Sequence, residues 1–266
     1  MELDDAYANV PYIPNGPQYP ARWTVAAETF RARLNDTRRT ELGVSYGEGA
    51  RQAFDLFHPD GAARGLCVFV HGGYWLRFDR SFWSHLAAGP LARGWAVAMP
   101  SYDLCPEVRI SDITRQIARA VCVLAARFEG PIALAGHSAG GHLVARMAVP
   151  GVLPGDVVAR LSHVMPISPV SDLRPLLQTS MNEQFGLDLA AAVAESPVLM
   201  RPAPVPVTVW VGSEERPVFL DQARWLASAW NAGHEIAKGR HHFDVIEALE
   251  KPDSRMVGQL LALSGR

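Results

Sequence analysis

The stretch PIALAGHSAGGHLVARM, residues 131–147, decides the fold of this chain. Its first part, through Ala135, is a short unbroken apolar run, which reads as a strand buried on both faces. A helix is expected to begin near Ala139. Between the two lies Gly136-His137-Ser138-Ala139-Gly140, a G-x-S-x-G pattern with Gly141 behind it. A serine on a tight strand-to-helix turn holds its hydroxyl above the sheet, and the flanking glycines leave space for that turn. The unpaired amides at the start of the helix point at the same spot. In this setting Ser138 is the expected nucleophile.

The same rhythm extends in both directions. Upstream come the apolar strand LCVFV (66–70), a helical pattern over 80–93, the strand WAVAMPSY (95–102) and an amphipathic helix over 110–128. That helix carries Ile110, Ile113, Ile117, Val121 and Leu124 on one stripe. Downstream, LSHVMPIS (161–168), VPVTVWVG (205–212) and a short run near His234–Ala237 supply more strands. Helices fit Val218–Asn231 and Phe243–Leu263, with Pro252 set to kink or split the last. Strands alternating with helices imply the α/β class: a mostly parallel sheet with helices on both faces. Leu42 to Pro59 reads as a hairpin pair that includes Gln52–Phe57. Two segments stand outside the rhythm. The N-terminal arm, 1–40, has an irregular YIPNGPQYP (12–20) and a helical AAETFRARLNDTRR (26–39), and is expected to pack across the rest. The insert 169–203 falls between two strands and is expected to form a small cap over the carboxyl ends of the sheet.

The chain has 266 residues, a net charge of −2, 48% hydrophobic and 20% charged residues. That length can bury roughly 70% of the unfolded surface, enough for a single domain over 1–266. The composition argues against disorder, and the balanced charge gives no nucleic-acid footprint. Cys67, Cys105 and Cys122 form no CxxC pair, so neither a disulfide framework nor a cysteine-based zinc site is expected. The acidic start MELDDAYANV is unlike a signal peptide, and no apolar run approaches membrane-spanning length, so a cytoplasmic protein without membrane contact is the expectation.

A serine hydroxyl needs a histidine base, itself oriented by a carboxylate, and donors for the developing oxyanion. His71-Gly72-Gly73-Tyr74-Trp75 follows the strand 66–70 and suits an oxyanion loop. Gly73, Tyr74 and Ala139 are the candidate amide donors, with Gly72 permitting the loop shape and His71 structural. Tyr74 and Trp75 are candidates to line an aromatic substrate pocket. The acid and base should follow later strands, in that order. Glu214 and Glu215 follow the strand 205–212, and His241 and His242 follow the run 234–237. Glu215 is favoured for its room to turn off the strand, and His242 because it lies just before the next helix. Glu214, His241 and, as a more distant acid, Asp172 stay open. No metal or nucleotide pattern is present: there is no H-E-x-x-H, no G-x-x-x-x-G-K-[ST] and no G-x-G-x-x-G. No cofactor and no metal are expected.

HGGYW (71–75), YDLCP (102–106), GHSAGGHL (136–143), SDLRPL (171–176), VGSEE (211–215) and HHF (241–243) together resemble the kynurenine formamidase (arylformamidase) group of α/β-hydrolases, within the esterases related to hormone-sensitive lipase. The similarity covers roughly residues 40 to 260. It implies the α/β-hydrolase fold, Ser138 as nucleophile, His242 as base, and hydrolysis of N-formyl-L-kynurenine to L-kynurenine and formate in tryptophan catabolism. The group commonly has aspartate where this chain has Glu215, a carboxylate one methylene longer. Related motif sets occur in general short-acyl carboxylesterases, the alternative activity. A small-molecule substrate is expected, nucleic acid is not, and a homodimer is compatible with all of this.

Overall fold

The computed structural model describes residues 2–35, 37 and 39–262. Eight strands form one sheet: β1 (Thr40–Ser45), β2 (Ala53–Phe57), β3 (Leu66–Val70), β4 (Ala96–Pro100), β5 (Ile132–His137), β6 (Leu161–Ile167), β7 (Thr208–Gly212) and β8 (Gly233–Ala237). Their spatial order is β1-β2-β4-β3-β5-β6-β7-β8. β1 and β2 are the antiparallel pair expected from 42–59, and β2 also runs antiparallel to β4; every other neighbour is parallel. Parallel pairing requires crossovers, which put helices on both faces.

The continuous apolar runs follow from that burial. β3 turns Val68 and Val70 to one face and Cys67 and Phe69 to the other, the period-two alternation of a strand. The first face is covered by α2 (Ile110–Arg127), α3 (Ala139–Met147) and α4 (Pro217–Trp230). The stripe Ile113, Ile117, Val121 and Leu124 of α2 is wholly buried there. The second face is covered by α1 (Tyr19–Asn35) and the C-terminal helices. Trp23 of α1 packs on Trp83 with ring centroids 4.6 Å apart, and Phe30 on Phe57 at 5.8 Å.

Three helical expectations differ in detail. The pattern at 80–93 is two 3₁₀ turns, Arg80–Phe82 and Ser84–Ala87, and a short helix, Ala88–Ala92. Trp83 leaves helical geometry between the turns (φ −121°, ψ 1°) with its ring buried against Trp23 and Phe78. The last helical pattern is split into a 3₁₀ stretch, Val245–Glu250, and a helix, Arg255–Leu260, with Pro252 between them and Ser254 capping the second through the Val257 amide. The insert 169–203 is short turns and helices, the longest being Leu189–Ala194. Leu263, the expected end of the last helix, and Asp36 and Arg38 in the arm lie outside the described residues. No helix among the described residues is long and apolar enough to cross a membrane.

Candidate active site

Ser138 sits between β5 and α3 with φ 57° and ψ −116°, a conformation L-residues rarely adopt. The turn is held by the Ser138 amide donating to Ile167 O at 2.8 Å and by the His142 amide donating to Ser138 O at 3.0 Å. The glycines are sterically required. A Cβ on Gly140 would lie 2.0 Å from Val70 O, and one on Gly136 would lie 2.1 Å from Gly140 O. Helix α3 can therefore lie against the sheet and lift Ser138 to the carboxyl ends of the strands.

Glu215 and His242 come from the loops after β7 and β8. Glu215 Oε2 is 2.6 Å from His242 Nδ1. The other carboxylate oxygen, Oε1, accepts from the Gly212 amide at 2.8 Å and from Ser168 Oγ at 2.5 Å. Both carboxylate oxygens are thus engaged, which fixes the carboxylate and leaves His242 Nε2 as the outward-facing nitrogen. Glu214 is exposed. His241 is turned the other way, with Nε2 3.1 Å from Tyr19 OH and Nδ1 near Asp244. Asp172 is occupied by Arg174, accepting from its amide at 3.0 Å and from its guanidinium at 2.7 Å. Of the open alternatives, the geometry brings Glu215 and His242 together and sets Glu214, His241 and Asp172 apart. Ser138 and His242 line one cavity. No hydrogen bond joins them among the described residues, and such contacts commonly tighten only with substrate bound.

The loop after β3 reaches the same place. A Cβ on Gly72 would lie 3.0 Å from Ser138 Cβ, so this glycine makes a close approach that no larger residue allows. Gly73 has φ 112° and Tyr74 φ 54°. Among the described residues the amides of Gly73, Tyr74 and Ala139 have no hydrogen-bond partner, as donors reserved for an oxyanion should be. His71 lies beneath: its ring stacks on Tyr102 at 4.3 Å, and burial pushes its pKa down to about 4.

Trp75 corrects one expectation. Tyr74 lines the cavity and donates from its hydroxyl to Tyr7 O at 2.7 Å. Trp75 is fully buried and packs edge-on against His142 (5.2 Å) and Phe185 (5.6 Å), away from the cavity lining. Both residues have left-handed φ, which turns the loop sharply between them and sends the two rings to different sides.

The cavity measures about 610 Å³. Its aromatic wall is Tyr7, Trp23, Tyr74, Phe78, Trp83 and Phe243. The expected cap covers less than its length promised: from 169–203, Ser180 and Met181 reach the lining. The N-terminal arm supplies much more, from Asp4 to Trp23. It is pinned by Gln222 Nε2 donating to Tyr7 OH at 2.8 Å, by Ser180 Oγ donating to Asp4 at 2.9 Å and by an Arg216–Asp5 ion pair at 2.8 Å. The sequence reading missed Ser168, the arm's cavity residues and His137. The His137 Nε2 lies 2.8 Å from His242 O, and burial first, then the neighbouring His242, keeps its pKa well below the usual histidine value. His137 stands within G-x-S-x-G, so its place next to the serine was visible, but its partner 105 positions later was not.

Residues 67–201 match a family described as alpha/beta hydrolase fold. The chain is 32% identical over 233 residues to a kynurenine formamidase of Drosophila melanogaster, covering 79% of this chain and 77% of that protein. It is 25% identical over 275 residues to a kynurenine formamidase of Danio rerio, covering 93% and 94%. A crystal structure from Silicibacter sp. TM1040, described as a candidate thioesterase, matches with a TM-score of 0.96 and 62% identity over 98% of this chain and all of that one. Esterase B of Lactobacillus rhamnosis shares the fold, with a TM-score of 0.65 and 18% identity over 91% of each chain.

Proposed function

The chain belongs to the alpha/beta hydrolase fold family and is a hydrolase related to the kynurenine formamidases, and from that premise we propose that it cleaves small aromatic N-formyl amides, N-formyl-L-kynurenine foremost, through a formyl-serine intermediate. The observation that carries the reading is the buried Glu215–His242 contact opening onto an aromatic cavity that also holds Ser138. The cavity is of small-molecule size. Arg77 adds to it a guanidinium that is exposed and without an ion-pair partner among the described residues, a fitting counter-charge for a substrate carboxylate.

The chemistry proceeds in two halves. Ser138 Oγ attacks the formyl carbon as His242 Nε2 takes its proton, and the resulting imidazolium is stabilised by Glu215. The amides of Gly73, Tyr74 and Ala139 receive the oxyanion. His242 returns its proton to the nitrogen, the carbon–nitrogen bond breaks and the aryl amine leaves. Water then gives a proton to His242 and its oxygen to the formyl carbon, and the ester bond to Ser138 breaks as His242 returns that proton to Ser138 Oγ, releasing formate and restoring the free serine. An aryl amine leaves readily because its lone pair delocalises into the ring.

The second reading is a short-acyl ester or thioester hydrolase, favoured by the 62% identity to a structure described as a candidate thioesterase. The same triad serves it. Comparing kcat/KM for N-formyl-L-kynurenine with phenyl acetate, phenyl butyrate, phenyl octanoate and an acyl thioester separates the two. The formyl amide should be the best substrate; negligible formyl-amide turnover beside efficient acetate or butyrate hydrolysis would promote the second reading. A fluorophosphonate should label the wild type and leave Ser138→Ala unlabelled, whichever acyl group is preferred.

A further inference from the structure

Tyr74 is fastened at one point. Its backbone amide and carbonyl have no hydrogen-bond partner among the described residues, so the bond from its hydroxyl to Tyr7 O, at 2.7 Å, is the only one the residue makes there. Tyr74 and Trp75 hold left-handed φ of 54° and 56°, which residues with a Cβ keep only when their surroundings impose it. The neighbours on either side are tied, Gly73 O by the Leu76 amide at 3.0 Å and Trp75 O by the Cys105 amide at 2.9 Å. What aims the Tyr74 amide between those two ties is the phenol. Burial pushes that phenol well above the usual tyrosine value, so it stays protonated and donates.

Tyr7, which accepts the bond, is itself held firmly. It is 1% exposed. Its hydroxyl accepts from Gln222 Nε2 at 2.8 Å. Gln222 is wholly buried, with its Oε1 accepting from the amides of Ser171 at 2.8 Å and Asp172 at 2.7 Å. The Tyr7 ring meets Phe219 edge-on at 6.0 Å, and Phe219 lies against the imidazole of His242 at 4.3 Å. Phe219 and Gln222 stand three residues apart on α4, so one face of this helix engages both the ring and the hydroxyl of Tyr7 and also backs the base. We propose that Tyr7 is a positioning residue, whose carbonyl holds Tyr74 so that the Gly73 and Tyr74 amides stay aimed at the oxyanion. An arm residue thereby ties the oxyanion loop to the helix behind His242. The inference rests on the oxyanion assignment made above and not on which acyl group is cleaved.

The test removes one oxygen at a time and reads an aryl ester that the wild type cleaves. Tyr74→Phe should lower kcat by about 10-fold and leave KM within about 2-fold, because loosened donors are felt in the transition state and not in substrate binding. An aryl trifluoromethyl ketone forms a tetrahedral oxyanion on the serine, and its inhibition constant should rise by the same factor of about 10, while that of the matching methyl ketone, bound unreacted, should stay within about 2-fold. Tyr7→Phe keeps the carbonyl and loses only the grip of Gln222, so it should lower kcat by about 3-fold, and the double variant should lose about 10-fold rather than the product of the two, as members of one network do. Should Tyr74→Phe fail to fold, Tyr7→Phe decides alone, by the same split between kcat and KM and between the two ketones. An unchanged kcat, a loss carried by KM, or a double variant whose losses multiply would overturn the role of Tyr7 and leave the hydrolase reading standing. A wild type that the trifluoromethyl ketone does not inhibit would overturn the oxyanion assignment with it.

Discussion

The carboxylate of Glu215 is held from three directions, by Gly212, Ser168 and His242. Its neutral amide cannot satisfy the same set, because an NH₂ replaces one of two acceptors. Glu215→Gln should therefore lower kcat by about 10²–10⁴-fold, the scale seen when a triad acid is neutralised. Glu214→Gln, at an exposed position, should stay within about 2-fold of wild type. Steady-state kinetics of the two purified variants on one substrate checks this, and a reversal of the two losses would move the acid to Glu214. At this scale the sequence was legible up to neighbours. It placed a carboxylate after β7 and an imidazole after β8, but which member of Glu214–Glu215 and His241–His242 turns inward depends on loop dihedrals and on Tyr19, a residue 222 positions from His241. Trp75 shows the same limit. Adjacency to Tyr74 made it look like pocket, while two successive left-handed residues send it into the core.

Among the elements, strands and long helices were readable because each is dictated locally. An unbroken apolar run in β3 or β5 and the stripe on α2 are periodic patterns that burial on both faces demands. The arm was readable as an element that packs across the rest of the chain, but not in the particular residues it turns to the cavity. Its cavity-facing residues are held by hydrogen bonds from Gln222, Ser180 and Tyr74, none of which leaves a local signature. Because it is the main roof, deleting residues 2–13 should leave the triad intact and change selectivity: the ratio of kcat/KM for phenyl octanoate to that for phenyl acetate should rise by about 10-fold, as removal of a wall admits longer chains. A substrate-length series on the truncated protein measures it. An unchanged ratio would assign the size limit to the sheet-borne loops instead.

For the molecule as a whole, burial of neutral histidines ties stability to pH. Burial pushes His71, His85, His142 and His163 each down to about 4. The unfolded chain titrates these groups near 6.5, so between about pH 6.5 and 4 it binds more protons than the folded one. Their contribution is complete above pH 6.5 and is lost as pH falls toward 4, at about 1.4 kcal/mol per pH unit for each histidine. Urea unfolding at pH 7, 6, 5 and 4.5 should show a midpoint falling steadily through this window, before most carboxylates are protonated. A midpoint flat down to pH 5 would mean that these histidines protonate freely within the fold. Fold class at this scale was legible, since alternation of strand and helix over most of the chain admits few arrangements. The cost of burying so many imidazoles was not, because it depends on which histidines the sheet and helices enclose.

The spacing of the site along the chain also sets an order in time. A ribosome adds about 5–20 residues per second. The histidine beside the nucleophile and the one that completes the triad are 105 positions apart, so a growing chain carries its serine for roughly 5–20 s before its base is made. The anchor of Tyr7 at Gln222 comes 215 positions after it, a wait of roughly 10–40 s that overlaps the first. In that order of synthesis the proposed nucleophile would wait for its base until His242 is made, and the roof for its fastening until Gln222 is made.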